Sequence, residues 1–384
     1  MRKNIVICCD GTANEFAHDR TNVIKLYSTL VLDTDRQVAY YHPGIGTMEP
    51  FGALSPITRM FTRALGMAIG YGLENDIRDA YVFLMRMYQP GDSIFLFGFS
   101  RGAFTVRAVA SLIHMYGMLR KGNEPLVPYA IRMLMGIHRA GENDAGTYFE
   151  LAREFKLTMS SASPRMRFAG IWDTVSSVGW VDNPLHLPYE AYNPDIEIGR
   201  HAVSIDERRA FFRSHLWQLP QDPASDRGPR DIQQVWFPGV HCDVGGGYPE
   251  ETCGLSKYAL EWMIEEARTA GLLVDPQKQA EVLGLTGSGK YVPAKADAPM
   301  HDSLTGAWHV AEFIPKRHWN WKNSRWQHRM NLYRRRTIPS RSLIHDAAYV
   351  QGQEYQKRLP ADAIRVSTRR VLPAYSRLDA RAAG

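Results

Sequence analysis

Short runs of consecutive apolar residues recur along this chain, and each ends in a cluster of Gly, Asp, Ser or His. Residues 4–9 run into Asp10-Gly11-Thr12, and 94–97 into Gly98-Phe99-Ser100-Arg101-Gly102. Residues 166–172 run into Asp173-Thr174, and 233–240 into His241-Cys242-Asp243. Runs apolar on both faces and bounded by turn residues predict buried parallel strands. Residues 38–41 predict a shorter one. Between the runs the apolar spacing becomes helical. Thr21 or Asn22 can cap a helix to about residue 32, with Val23, Leu26 and Leu30 on one side. Residues 73–88 place Ile77, Ala80, Tyr81, Leu84 and Tyr88 on one face, and residues 256–270 do the same with Leu260, Met263, Ile264 and Ala267. A fourth helix follows Gly102. Strands alternating with helices predict an α/β fold, a mostly parallel central sheet flanked by helices.

Other stretches are less regular. Residues 117–163 contain no clear strand, and helical patterns at 129–138 and 147–155 predict a helical insertion. Residues 176–232 are rich in loops, with a helix expected at 205–212. The glycine-punctuated apolar segment 51–71 reads either as a flap over a pocket or as core. Residues 300–384 are irregular and basic. Neither a repeat nor a long linker interrupts the chain, so one domain over 1–384 is expected, with its core at about 4–270.

The chemistry gathers at the expected strand ends. Strand, G-x-S-x-G turn and helix make the nucleophile elbow of serine hydrolases, with Ser100 on the turn. The sharp turn strains the serine backbone, and the flanking glycines let strand and helix approach without a Cβ clash. The Arg101 N–H and that of Gly11 or Thr12 are candidate oxyanion donors. An activated serine needs a base, and the base an acid to hold its tautomer. Asp173 and His241 follow in the order Ser, acid, His, each at a predicted strand end. Asp243 competes as the acid, and His301 and His345 as the base; spacing alone leaves the choice open.

Composition narrows the reading further. The 384 residues are 45% apolar, enough for a large core, and carry a net charge of +6. Between Lys316 and Arg336 eight Lys/Arg occur without Asp or Glu, interleaved with Trp319, Trp321, Trp326 and Tyr333. Such a run suits an anionic membrane surface, while packed tryptophans under a solvated basic face are the plain alternative. Nucleic acid is not an expected partner. Four cysteines, with Cys8 and Cys9 adjacent and no C-x-x-C, predict neither a disulfide framework nor a zinc site and suit a reducing compartment. The first residues are too short an apolar run for a signal peptide, and no stretch reaches the ~18 apolar residues of a membrane span. A cytoplasmic protein as synthesised is expected, with any export by a leaderless route.

Four motifs occur together in order: Cys9-Asp10-Gly11-Thr12-x-Asn14, Gly98-Phe-Ser100-Arg-Gly102-Ala103, Gly170-Ile-Trp-Asp173-Thr-Val175 and Trp236-Phe-x-Gly-Val-His241-x-Asp243-Val-Gly-Gly-Gly247-Tyr248. The set resembles the α/β-hydrolase family that includes type VI secretion phospholipase effectors and many uncharacterised bacterial and fungal proteins. That resemblance spans about residues 4–270. It implies a Ser–Asp–His triad at Ser100, Asp173 and His241, and ester hydrolysis on lipids without a cofactor or metal. Two other readings stand beside it. One is a metal-dependent phosphoester hydrolase using Asp10, Asp173, His241 and Asp243; the other is a non-catalytic module binding anionic surfaces through 316–336.

Overall fold

The computed structural model describes residues 2–11, 20–44, 72–175, 179–180, 183–218, 231–306, 308–320 and 325–368. The apolar segment 51–71, read as either flap or core, lies outside them. Eight strands form one sheet: β1 (Asn4–Cys9), β2 (Gln37–His42), β3 (Ser93–Phe99), β4 (Met166–Trp172), β5 (Ile196–Ser204), β6 (Asp231–Phe237), β7 (Leu343–His345) and β8 (Ile364–Val366). Their order is β8-β7-β6-β5-β4-β3-β1-β2, and every pairing is parallel. All carboxyl ends therefore open on one edge. The order reverses between β1 and β3, the kind of switch point beside which open α/β sheets bind ligands.

Alternation along each strand makes two cores. Ile5, Ile7, Ile94, Leu96 and Ile171 face one side. There they meet α2 (Leu73–Met87), α3 (Arg101–Tyr116) and α4 (Val127–Met159), whose buried residues include Ile77, Leu84, Phe104, Val109 and Leu134. Val6, Cys8, Phe95, Phe97, Phe168 and Trp172 face the other side, against α1 (Asn22–Thr29) and α6 (Ser256–Thr269). Thr21 caps α1, its hydroxyl accepting from the Ile24 N–H. The four cysteines are free thiols.

Three expectations are corrected. The insertion is a single helix, α4, running through the glycine-broken pattern at Gly136 and Gly146; Met118–Leu119 and Ser160–Ala162 pair as a short antiparallel ribbon at its base. Residues 205–212 form no helix, whereas β5 just before them is a central strand. Its pattern was obscured by Glu197, Arg200 and His201, which the sheet accommodates by pairing: Arg200 with Asp231 and Glu266, Glu197 with Arg167, and His201 with Gln234. The sheet also runs past residue 270. In β7 and β8 the irregular basic region contributes two strands, over a third apolar cluster of Val203, Ile205, Trp236, Ile344, Tyr355 and Leu359.

Candidate active site

Ser100 occupies the one-residue turn between β3 and α3 at φ 56, ψ −120, a backbone conformation a non-glycine residue rarely adopts. Its N–H donates to Trp172 O at 3.1 Å, joining the turn to β4. Gly102 makes the turn possible: a Cβ there would lie 2.1 Å from Cys9 O, so α3 packs its first turn directly on the end of β1. Asp173 sits one residue past β4, also at positive φ (39°), and its N–H donates to Ala202 O at 2.8 Å. Serine and acid thus leave adjacent strands of the sheet on the same edge.

His241 comes from the turn after β6 and opens the short helix α5 (His241–Gly245). Its Nδ1 lies 2.5 Å from Asp173 Oδ2. The imidazole is packed between Phe99, with ring centroids 4.6 Å apart, and Phe212, edge-on at 4.9 Å. Gly245 allows α5 this close, since a Cβ there would meet the Phe99 ring at 2.0 Å. Among the described residues Ser100 Oγ and His241 Nε2 make no hydrogen bond to each other. The ring of Phe99, next to Ser100 in the chain, is the contact that links the two.

Sequence reasoning missed the group that dominates the electrostatics. Arg336, buried, clamps Asp173 through both guanidinium nitrogens: Nη1 to Oδ1 at 2.5 Å and Nη2 to Oδ2 at 3.1 Å. Nη1 also donates to Ser204 O and Oγ, and Nε to Phe212 O. The Ser204 N–H adds a further bond to Asp173 Oδ1 at 2.9 Å. Burial alone would push the Asp173 carboxyl up; the Arg336 charge and the His241 hydrogen bond overcome it and hold the group well below the ordinary carboxylate range. Burial lowers the His241 imidazole, with Asp173 opposing, so the ring is neutral at neutral pH and offers Nε2 as a base. Glu207 is a second missed residue. It accepts from the His241 N–H at 3.2 Å and from Arg209, whose guanidinium lies 3.4 Å from the Phe212 ring centroid. No motif flags Arg336 or Glu207, because each belongs to an irregular stretch of the sequence.

Several other expected residues are placed elsewhere. The Gly11 N–H donates to Asp10 Oδ1 at 2.7 Å, which removes it as an oxyanion donor here; Thr12 lies outside the described residues. Asp10 Oδ2 accepts from Thr21 Oγ1 and Tyr41 OH, so this carboxylate is a fixed buried acceptor at the foot of α1. Asp243 faces away from His241, accepting from the Val240 N–H and from His301 through its N–H and, at 2.7 Å, its Nδ1. His345 caps the turn after β7: its Nδ1 accepts from the Ala347 N–H, Nε2 meets Thr368 Oγ1, and the ring stacks on Phe237. Neither Asp243 nor His345 reaches the Asp173–His241 pair. Of the basic run, Lys316–Asn320 and Arg325–Arg329 pair as an antiparallel ribbon, Arg335 pairs with Asp206 at 3.3 Å, and Arg336 points inward. The run is therefore partly internal structure.

A parallel sheet with a serine on its sharpest strand-to-helix turn defines an α/β-hydrolase-like protein. The chain belongs to the family described as T6SS, Phospholipase effector Tle1-like, catalytic domain, whose model matches residues 3–266. It is 38% identical over 224 residues to an uncharacterized protein of Saccharomyces cerevisiae, covering 55% of this chain and 32% of that one. An uncharacterized protein from Pseudomonas aeruginosa is similar in structure, with TM-score 0.44, 20% identity, and coverage of 77% of this chain and 50% of that one. The Tle1 effector bound to the VgrG spike of the Type 6 secretion system gives TM-score 0.34 and 18% identity, over 64% and 51%. The regions matched thus amount to between about a third and half of each of these relatives. Among the described residues, no helix is long and apolar enough to cross a membrane.

Proposed function

We propose that this chain is a serine esterase acting on acyl esters of lipids, a phospholipase or lysophospholipase. The observation that carries the reading is the 2.5 Å Asp173–His241 pair beside a serine held at positive φ between β3 and α3. His241 Nε2 takes the Ser100 proton as the hydroxyl adds to the ester carbonyl, and ionised Asp173 stabilises the imidazolium. The Arg101 N–H at the start of α3 receives the oxyanion, with the second donor expected at Thr12. Collapse of the tetrahedral intermediate expels the alcohol, protonated by His241, and water then hydrolyses the acyl-enzyme. The Ser100–His241 hydrogen bond forms once substrate is bound, as such bonds often tighten only in the complex. Family membership supports lipid as the substrate class.

Labelling with a fluorophosphonate probe tests this reading. Wild-type protein should label with or without EDTA, and Ser100→Ala and His241→Ala should not. A folded wild type that does not label would overturn it. The 316–336 segment would bring cations to an anionic lipid surface, in which case hydrolysis of anionic vesicles falls as salt rises; a salt-independent rate would remove that role.

The metal-dependent phosphoesterase finds little support in the same geometry. Its four candidate ligands are engaged separately: Asp10 with Thr21 and Tyr41, Asp173 with Arg336 and His241, Asp243 with His301. Arg336 already supplies the positive charge that a cation would bring to Asp173.

A further inference from the structure

Away from Ser100, one cluster has a chemistry that ester hydrolysis does not use. We propose that His186, Glu190 and His215 form a binding site for a divalent transition-metal ion of the Zn²⁺ type. Their donor atoms all lie within 4.8 Å of one another, and among the described residues no other group of three His, Cys, Asp or Glu side chains does so. Glu190 Oε1 is the hub, 2.9 Å from His215 Nε2 and 3.5 Å from His186 Nδ1. Ligands about 2.1 Å from a tetrahedral zinc stand roughly 3.4 Å apart, so these separations already approximate a coordination sphere. Glu190 is 2% exposed, and its Oε2 has no hydrogen-bond partner among the described residues; neither does His215 Nε2, despite its closeness to Oε1. A buried carboxylate oxygen and a buried imidazole nitrogen that both lack a directed hydrogen bond in one small cluster are donor atoms that an ion would satisfy.

The donors select the ion. Two imidazoles and one carboxylate suit zinc and its neighbours rather than magnesium or calcium, which take oxygen ligands. Three protein ligands leave a position for water. The His186 side chain is 39% exposed, which gives an ion its way in. The surrounding residues fix the frame. Arg107, two turns along α3 from Ser100, donates from Nε to Glu190 O at 2.8 Å and from Nη1 to His215 O at 2.6 Å. One buried guanidinium thus holds both ligand-bearing loops through their backbones. Its charge is 3.9 Å from Glu190 Oε2, which directs an ion to Oε1 and moderates affinity. The His215 N–H donates to Thr174 O at 3.0 Å, the residue after Asp173, so a bound ion would tether the loop beside the acid.

The test uses the full chain, stripped with chelator and dialysed against metal-free buffer. Titration with ZnCl₂ alone should show one equivalent bound and a higher melting temperature. Co²⁺ in its place should give the visible absorption of a four-coordinate site with nitrogen and oxygen ligands. His186→Ala, the most exposed of the three ligands, and the His186→Ala/His215→Ala pair should lose the bound equivalent and the thermal shift, whereas Ser100→Ala keeps both. Two results would overturn the proposal: folded wild type that binds less than about a tenth of an equivalent, or variants that bind as wild type does. Should the variants fail to fold, the wild-type Co²⁺ spectrum decides, since a featureless octahedral spectrum rules the site out.

Discussion

Among the described residues three buried aspartates lie at nearly equal distance from a histidine Nδ1, Asp195–His114 at 2.6 Å, Asp173–His241 at 2.5 Å and Asp243–His301 at 2.7 Å, and the last two hold the two candidate acids. Their surroundings differ in charge. Asp173 is clamped by Arg336, and its carboxyl is held far down. Among the described residues no arginine or lysine bonds Asp243; burial pushes its carboxyl up despite the bonds from Val240 and His301. The histidines differ in parallel. His241 is enclosed by Phe99 and Phe212 beside the serine turn, whereas His301 stacks on Tyr248 and turns its Nε2 to Thr252. An Asp–His distance alone does not define a base. A buried acid can stabilise an imidazolium only if something keeps the acid ionised, and here that is an arginine 163 residues away in the chain.

The sharpest way to break this comparison is to neutralise each acid. Asp173→Asn should lower kcat/KM on a soluble ester by about 10⁴-fold, the scale for loss of the orienting acid in a triad. Asp243→Asn should lower it by less than about tenfold. Equal losses would mean that the two pairs are interchangeable. Arg336→Met comes next. Removing one partner of a buried ion pair leaves Asp173 short of charge and should cost about 3–5 kcal/mol in urea unfolding, with Arg336→Lys recovering part of it. Unchanged stability would show that Arg336 does not keep the acid ionised.

pH separates the pairs on a finer scale. The rate should fall in acid with a midpoint below His241's ordinary value near 6.5, because burial lowers that imidazole. Arg336→Met should move the midpoint upward, since a positive charge near the dyad is gone. Stability follows the same sign. For His241 the folded value is the lower one, so below pH ~6.5 the unfolded chain binds more protons and stability declines as pH falls. Asp173, also lowered, adds its loss only below pH ~4, as the pH drops toward its folded value. Melting temperature against pH should show a shallower second decline in Asp173→Asn than in wild type, the remainder coming from other lowered carboxyls such as Glu190 and Glu207. The smallest effect belongs to His345→Gln, which should change kcat/KM by less than about twofold because His345 only caps the β7 turn and stacks on Phe237.

Much of this was legible in sequence where chemistry and hydrophobic pattern coincide. β1, β3, β4 and β6 each end at a motif, so parallel pairing alone gathers Asp10, Ser100, Asp173 and His241 on one edge. β5 was not legible, because a central strand carrying Glu197, Arg200 and His201 departs from the apolar pattern and is rescued only by partners on other elements. The helical insertion was legible at 129–138 and 147–155, but the continuity of α4 was not, since glycines interrupt its pattern without interrupting its backbone.

The sequence by itself determined the alternation of strands and helices, the strained serine turn and the short list of acids and histidines near it. These depend on spacing within some twenty residues, where propensity and turn chemistry act. Only the tertiary structure decided which aspartate meets which histidine. It also brought Arg336 to Asp173, Glu207 to His241, and His186, Glu190 and His215 together. Such pairings depend on the burial of charge, and a buried charge takes whatever partner the packed chain brings near, however far off it lies in sequence.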